Sequence, residues 1–268
     1  MRTPLLRVLS IVLLMLTVSK AYSQPLSGTL SIGPAPSNYT TLALAFTDLA
    51  TKGVSGPVIL ELKSNYVSEA STIRPTPIPG SSTNNTVTVR PVLGSPTITI
   101  SMSNSVFLLD NVDNLIIDGR PGGVGTTRGL YLQSTSNGTP VIYQFGDVQN
   151  VTIKYCTFKA INDNSSSGML VLSSSGITDG ADNWTISNCD FNCLGSNNAI
   201  YVTASASGTT DNLVITNNII HDLYSATNAS FTHNGIYVIS NVTSATITNN
   251  SIYNTAAYLG EGFYNPSF

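Results

Sequence analysis

The sequence predicts an all-β chain wound as a parallel β-helix, a solenoid whose start is closed by an amphipathic helix. Three observations carry this. A phrase recurs, Asn-x-x-Ile, as Asn114–Ile117, Asn150–Ile153, Asn183–Ile186 and Asn212–Ile215, with a fifth copy, Ser244–Ile247, that has Ser for Asn. The steps between the Ile residues are 36, 33, 29 and 32 residues, the period of units that bury their apolar face only by stacking on neighbours. Five residues after four of these Ile come Phe158, Phe191, Ile220 and Ile252, a second apolar set at constant offset. Thr, Val and Ile alternate at period two throughout, the strand signature, although only 9% of the chain is charged.

Taken in order, residues 1–23 read as a secretory signal peptide. Arg2 and Arg7 supply the positive start, Ile11 to Val18 the short apolar run, and Ala21-Tyr22-Ser23 the small residues before a cut near Ser23-Gln24. Residues 24–63 form the expected N-terminal cap, strand-helix-strand. Leu42, Phe46 and Leu49 lie at helical spacing, Thr40 or Thr41 can cap the start, and Gly53 stops the helix. Such a helix can cover the apolar core and unpaired backbone at an open solenoid end. Residues 86–90, 97–100 and 106–109 are short strands separated by Pro91, Gly94 and Pro96. From 111 each unit reads as a strand such as Gly235–Val238, a polar loop, the Asn-x-x-Ile strand, a turn and a short apolar segment. The coils are expected to run over 64–268, truncated at the C-terminus, where no cap is evident.

Stacking the copies on their Ile makes Ile117, Ile153, Ile186, Ile215 and Ile247 one interior column, with rungs about 4.8 Å apart. The Asn residues at 114, 150, 183 and 212 then meet at a corner, where amides can pair along the axis. Asn188, Asn217 and Asn249, two residues after the Ile, form a second such corner, and Asn tolerates the left-handed backbone a tight corner needs. Cys156 and Cys189 both fall three residues after the Ile, so they are neighbours in one column, expected reduced, with Cys193 in the following turn. Three Cys make no disulfide framework, and two His without a Cys-x-x-Cys make no structural zinc site. A net charge of −3 argues against nucleic acid. No second long apolar run follows the leader, so no membrane span is expected in the mature chain.

Val54–Val58, Val87–Pro91, Leu109–Arg120 and Gly122–Thr127 give a likeness that covers roughly residues 28–255. On these the chain resembles exported right-handed parallel β-helix proteins of the pectin-lyase-like superfamily, of the surface or secreted type found in Bacteroidota. The resemblance implies the fold and an extracellular place. It does not imply one activity, because that superfamily holds lyases, hydrolases, esterases and adhesins.

Lyase chemistry on a uronate needs a base and a cation beside the carboxylate. No Lys or Arg occurs after Lys159, whereas 160–268 carries six Asp and one Glu. The cations lie earlier, at Arg90, Arg120, Arg128, Lys154 and Lys159, and Asp118 with Arg120 is the most enzyme-like pair, although a plain turn in Asp-Gly-Arg-Pro-Gly-Gly accounts for it better. Asp113, Asp182 and Asp211 precede the corner Asn and are candidate calcium ligands, against the simpler reading of turn residues bonding local backbone. Calcium is the one cofactor left open. His221 and His233 are placed in loops or at strand edges. Tyr131, Tyr143, Tyr201 and Tyr237, on copies of the first strand, would make a sugar-stacking stripe if they face outward; ordinary edge β-formers are the plainer account. The reading that follows is a secreted or cell-surface protein, non-catalytic, serving adhesion, contact with polysaccharide or surface glycans, or spacing. The alternative is a polysaccharide lyase or glycoside hydrolase acting on an extracellular polysaccharide.

Overall fold

The computed structural model describes residues 24–67, 69–173, 180–223 and 233–253. The expected signal peptide lies outside them. The described chain opens with β1 (Leu26–Ile32), α1 (Leu42–Lys52) and β2 (Val54–Leu62). Five coils of three strands follow: β3 (Val87–Pro91), β4 (Ile98–Met102), β5 (Phe107–Asp110); β6 (Leu115–Asp118), β7 (Leu130–Ser134), β8 (Ile142–Phe145); β9 (Thr152–Lys154), β10 (Cys156–Lys159), β11 (Leu170–Ser173); β12 (Thr185–Ser187), β13 (Asp190–Asn192), β14 (Asn198–Thr203); and β15 (Leu213–Thr216), β16 (Ile219–His221), β17 (Asn234–Val238). A last pair, β18 (Ala245–Thr248) and β19 (Ser251–Tyr253), starts the next coil.

Every strand pairs in parallel with its equivalent in the coils before and after. The long sheet runs β1-β2-β3-β6-β9-β12-β15-β18, the second β4-β7-β10-β13-β16-β19, and the third β5-β8-β11-β14-β17. The chain is a parallel β-solenoid, as the repeat predicts. The register matches the alignment on Ile: Val89, Ile117, Ile153, Ile186, Ile215 and Ile247 are successive partners. Those from Val89 to Ile215 are fully buried, and Ile247, on the last described rung, is 44% exposed. Ile100, Leu132, Phe158, Phe191, Ile220 and Ile252 form the second column, with the Phe158 and Phe191 rings stacked at 4.6 Å.

The corners explain the Asn residues. Asn114, Asn150, Asn183 and Asn212 have φ between 55° and 59°, and Asn188, Asn217 and Asn249 lie at 56–57°. This is the left-handed region that Asn enters more cheaply than other non-Gly residues. Along the first corner Asn183 donates to the Asn150 Oδ1 at 3.1 Å, and Asn212 to Asn183 at 3.1 Å. Cys156, Cys189, Asn218 and Asn250 share one column three residues after the Ile. Both thiols are buried and free, and burial pushes the Cys156 thiol well up. The two amides continue the column by bonding each other at 2.9 Å, with Asn218 Oδ1 accepting from the Cys189 N–H at 2.9 Å.

Thr41 accepts the Leu44 N–H to start α1, and Gly53 at φ 72° ends it. Leu42, Ala45, Phe46 and Leu49 are buried in the core shared with β1 and β2. A partner the sequence did not reveal is Glu69. Its buried carboxylate accepts the Leu42 N–H at 2.6 Å and the Ala43 N–H at 3.3 Å, and the Tyr66 hydroxyl as well, placing a negative charge on the positive helix end.

Candidate functional site

At one corner the repeat is broken, and four of the eight Lys and Arg among the described residues gather there. One residue after the aligned Ile, the long sheet carries an outward column of alternating sign: Glu61, Arg90, Asp118, Lys154. Arg90 bonds Glu61 through Nη2 at 3.0 Å. Asp118, almost fully buried, takes Nε of Arg120 at 2.9 Å, Nη2 at 2.7 Å and the Arg120 backbone N–H at 3.1 Å, with Lys154 Nζ at 3.5 Å. Burial pushes the Asp118 carboxyl up, but the Arg120 bonds and the nearby positive charges outweigh it and hold it below the ordinary carboxylate range.

Between β6 and β7 the chain leaves the coil at Gly119 and returns at Gly129, where the Gly129 N–H bonds the Gly119 carbonyl at 2.7 Å. Pro121–Gly123 form a 3-10 turn over the ladder. A Cβ on Gly123 would lie 2.9 Å from Arg90 Nη1, so glycine lets the loop close on that guanidinium. Arg128, near the loop's end, reaches across to donate to the Asn188 carbonyl at 2.8 Å.

Tyr155 sits inside this group. It occupies the corner held by Asn188, Asn217 and Asn249 in later coils, and at φ 54° it adopts the same left-handed backbone. A Tyr there costs about 1–2 kcal/mol of strain that Asn largely avoids. The Arg120 guanidinium lies over its ring, 4.8 Å from the centroid, a cation–π contact. One corner therefore combines a departure from the repeat, a strained aromatic, a glycine-rich excursion, and four cations (Arg90, Arg120, Arg128, Lys154) against two carboxylates (Glu61, Asp118).

Asp118 and Arg120 are thus in direct contact, and Arg120 does more than shape a turn: it holds a buried carboxylate. The other candidates fare differently. Asp113, Asp182 and Asp211 do fall in one column, with Gln149 between the first two. Asp113 Oδ1 accepts the Gln149 N–H at 2.8 Å, Asp182 Oδ1 the Asp211 N–H at 2.8 Å, and Asp211 the Thr243 hydroxyl. Through these bonds the three carboxylates tie one coil to the next. Among the described residues no group of three or more His, Cys, Asp and Glu is placed to hold a metal ion.

The tyrosine stripe is split. Tyr131 is on β7, in the second sheet, beside Thr99 and Thr157. Tyr143, Val171, Tyr201 and Tyr237 share a column of the third sheet. Within it Tyr201 is buried, its hydroxyl pushed up by that burial, whereas Tyr237 is 39% exposed and meets Tyr201 edge-on at 5.8 Å. The sequence could not separate Tyr131 from the others, because alternation is identical in two strands of one coil.

His221, at the end of β16, sets Nδ1 against Asp222 at 2.7 Å and Nε2 against Asp190 at 3.0 Å, with the Tyr253 ring stacked on it at 5.3 Å. Both ring nitrogens thus face carboxylates. No helix among the described residues is long and apolar enough to cross a membrane. Set against known protein families, characterised proteins and solved structures, the chain matches none.

Proposed function

We propose that this solenoid is a non-catalytic extracellular protein that contacts acidic glycans at the Tyr155 corner, in the manner of the exported β-helix proteins its sequence resembles. The supporting observation is the coincidence just described. A position that the repeat fills with Asn holds a strained Tyr under an Arg, inside a basic cluster of an acidic chain. Local rules are broken at cost where function requires it. Tyr155 and the guanidinium planes offer flat faces for a sugar ring, and the excess positive charge suits a carboxylate or sulfate. A lyase at this corner is disfavoured, since a carboxylate held below its ordinary range by paired cations is a poor base.

Affinity electrophoresis against polygalacturonate, alginate, dextran sulfate and neutral dextran tests this. Retardation by the acidic polymers only, lost in Tyr155→Asn and Arg128→Ala, supports it. Equal mobility in all gels, or unsaturated product released from a uronate polymer, overturns it and in the second case restores the lyase.

A further inference from the structure

Two large apolar side chains stand in solvent beside that corner, and contact with a glycan uses neither. Leu93 is 68% exposed and Val124 60%. Leu93 lies at the tip of the turn after β3, which the Ser95 N–H closes on the Val92 carbonyl at 3.0 Å, with Gly94 next to it at φ 75°. Val124 ends the 3-10 turn after β6, its N–H 3.5 Å from the Pro121 carbonyl, and Gly125 follows at φ 72°. The two loops touch: a Cβ on Gly122 would lie 2.9 Å from the Leu93 Cβ and 3.0 Å from its Cδ1. Leu93 and Val124 therefore stand out from one pair of packed, glycine-flanked loops.

Single exposed apolar residues are ordinary on a protein surface. The charge beneath these two sets them apart. Gly123, beside Val124, closes on the Arg90 guanidinium. Arg90, Arg120 and Lys154 share two carboxylates, Glu61 and Asp118. Among the described residues Lys63 and Arg128 bond backbone carbonyls instead, those of Pro34 and Pro36 at 3.0 Å and of Asn188 at 2.8 Å, so their charges are not neutralised. Lys63 belongs to the same edge, since the Val92 N–H bonds the carbonyl of the preceding Leu62 at 2.8 Å. Five cations against two carboxylates thus surround the base of the two loops, in a chain whose net charge is −3.

We propose that Leu93 and Val124 insert into the interface of an anionic lipid bilayer, while the surplus charge at their base is drawn to the headgroup phosphates. Aliphatic tips ringed by Lys and Arg match that boundary: the apolar groups enter the acyl edge and the cations stay at headgroup level. A stable protein partner would bury about 800 Å² on each side around an apolar centre, far more than two side chains supply. The solenoid would then lie on a membrane surface without spanning it. The lipid contact shares the cations of the glycan site but not Tyr155, and it stands whether or not that corner holds a glycan.

Co-sedimentation with vesicles of equal phosphatidylglycerol and phosphatidylcholine, and with vesicles of phosphatidylcholine alone, tests it. The protein should pellet with the first and not with the second, and should be released as NaCl rises from about 0.05 to 0.5 M. The double variant Leu93→Ser, Val124→Ser should bind the anionic vesicles about tenfold more weakly, yet be retarded by acidic polymers as the parent is. Tyr155→Asn should still pellet. Leu44→Ser, which removes an apolar side chain 54% exposed on α1, is the control and should bind as the parent does. No pelleting with the anionic vesicles, equal pelleting with the neutral ones, or unchanged binding in the double variant would each overturn the proposal. Should the double variant lose polymer retardation as well, Leu93→Trp decides: a blue shift of its emission on anionic vesicles supports insertion, and an unchanged spectrum rejects it.

Discussion

The upper and lower rungs of the long sheet fill the same column with different chemistry. From Glu61 to Lys154 the residue after the interior aliphatic is charged, alternating in sign, and the rungs pair two by two, Glu61 with Arg90 and Asp118 with Lys154. From Ser187 through Thr216 to Thr248 the same position holds hydroxyls, with Thr216 and Thr248 bonded at 3.1 Å. The corners follow suit. At the second corner the lower coils have Asn188, Asn217 and Asn249, whereas the upper ones have Gly119 and Tyr155 there. Stacking constrains only shape and pairing, so ion pairs and neutral side chains both satisfy it. The neutral version repeats without limit because every rung is equivalent. The charged version must alternate, and it localises a net charge that a ligand can use.

The largest expected effect tests the frame common to both halves. Ile186→Asp places an unpaired carboxylate at a fully buried position, which costs at least about 4 kcal/mol or forces protonation. The variant should be unfolded or melt far below the parent by calorimetry, and an unchanged transition would remove Ile186 from the core.

Next comes the charged half. Arg120→Ala removes a bidentate partner from the nearly buried Asp118 and should destabilise by about 2–3 kcal/mol in urea titration. A change under about 0.5 kcal/mol would restore the reading of Arg120 as a plain turn residue. The sign with pH follows from the direction of the Asp118 shift. Its folded value lies below the unfolded one, so its stabilisation is present above the ordinary carboxylate range and is lost as pH falls through the folded value. Asp118→Asn should flatten that acid loss relative to the parent. Glu69, pushed up by burial against the bonds that hold it down, contributes the opposite slope, so the comparison must be the difference between the two proteins.

The neutral half should respond less and differently. Asn183→Ala removes a ladder amide and puts Ala in left-handed backbone, for about 1–2 kcal/mol. That loss should not vary with salt between about 0.05 and 0.5 M, whereas the Arg120→Ala loss should shrink as ions screen the partly exposed pair. Equal salt dependence would erase the distinction between the halves.

The smallest effect is a gain. Tyr155→Asn replaces the strained corner residue by the one the repeat uses, and should raise stability by about 0.5–1 kcal/mol while weakening glycan retention. A loss of stability would mean that the Arg120 contact outweighs the strain, and the argument from strain to function would fail.

How much of this was legible follows from what each feature depends on. The Asn-x-x-Ile spacing determined the parallel solenoid, the interior Ile and Phe columns, the left-handed Asn corners and the adjacency of Cys156 and Cys189, because a period-two strand pattern at constant offset admits one stacking register. Thr41, Leu42, Phe46, Leu49 and Gly53 determined α1, since capping and helical periodicity are local. Only the tertiary structure decided that Glu69 holds the start of α1 and that Tyr131 sits on a different sheet from Tyr201. It alone decided that the carboxylates of Asp113, Asp182 and Asp211 bond the next coil. These depend on loop lengths between strands, which shift from coil to coil by several residues. Where loops vary, the offset from the repeat no longer fixes which side chains share a rung.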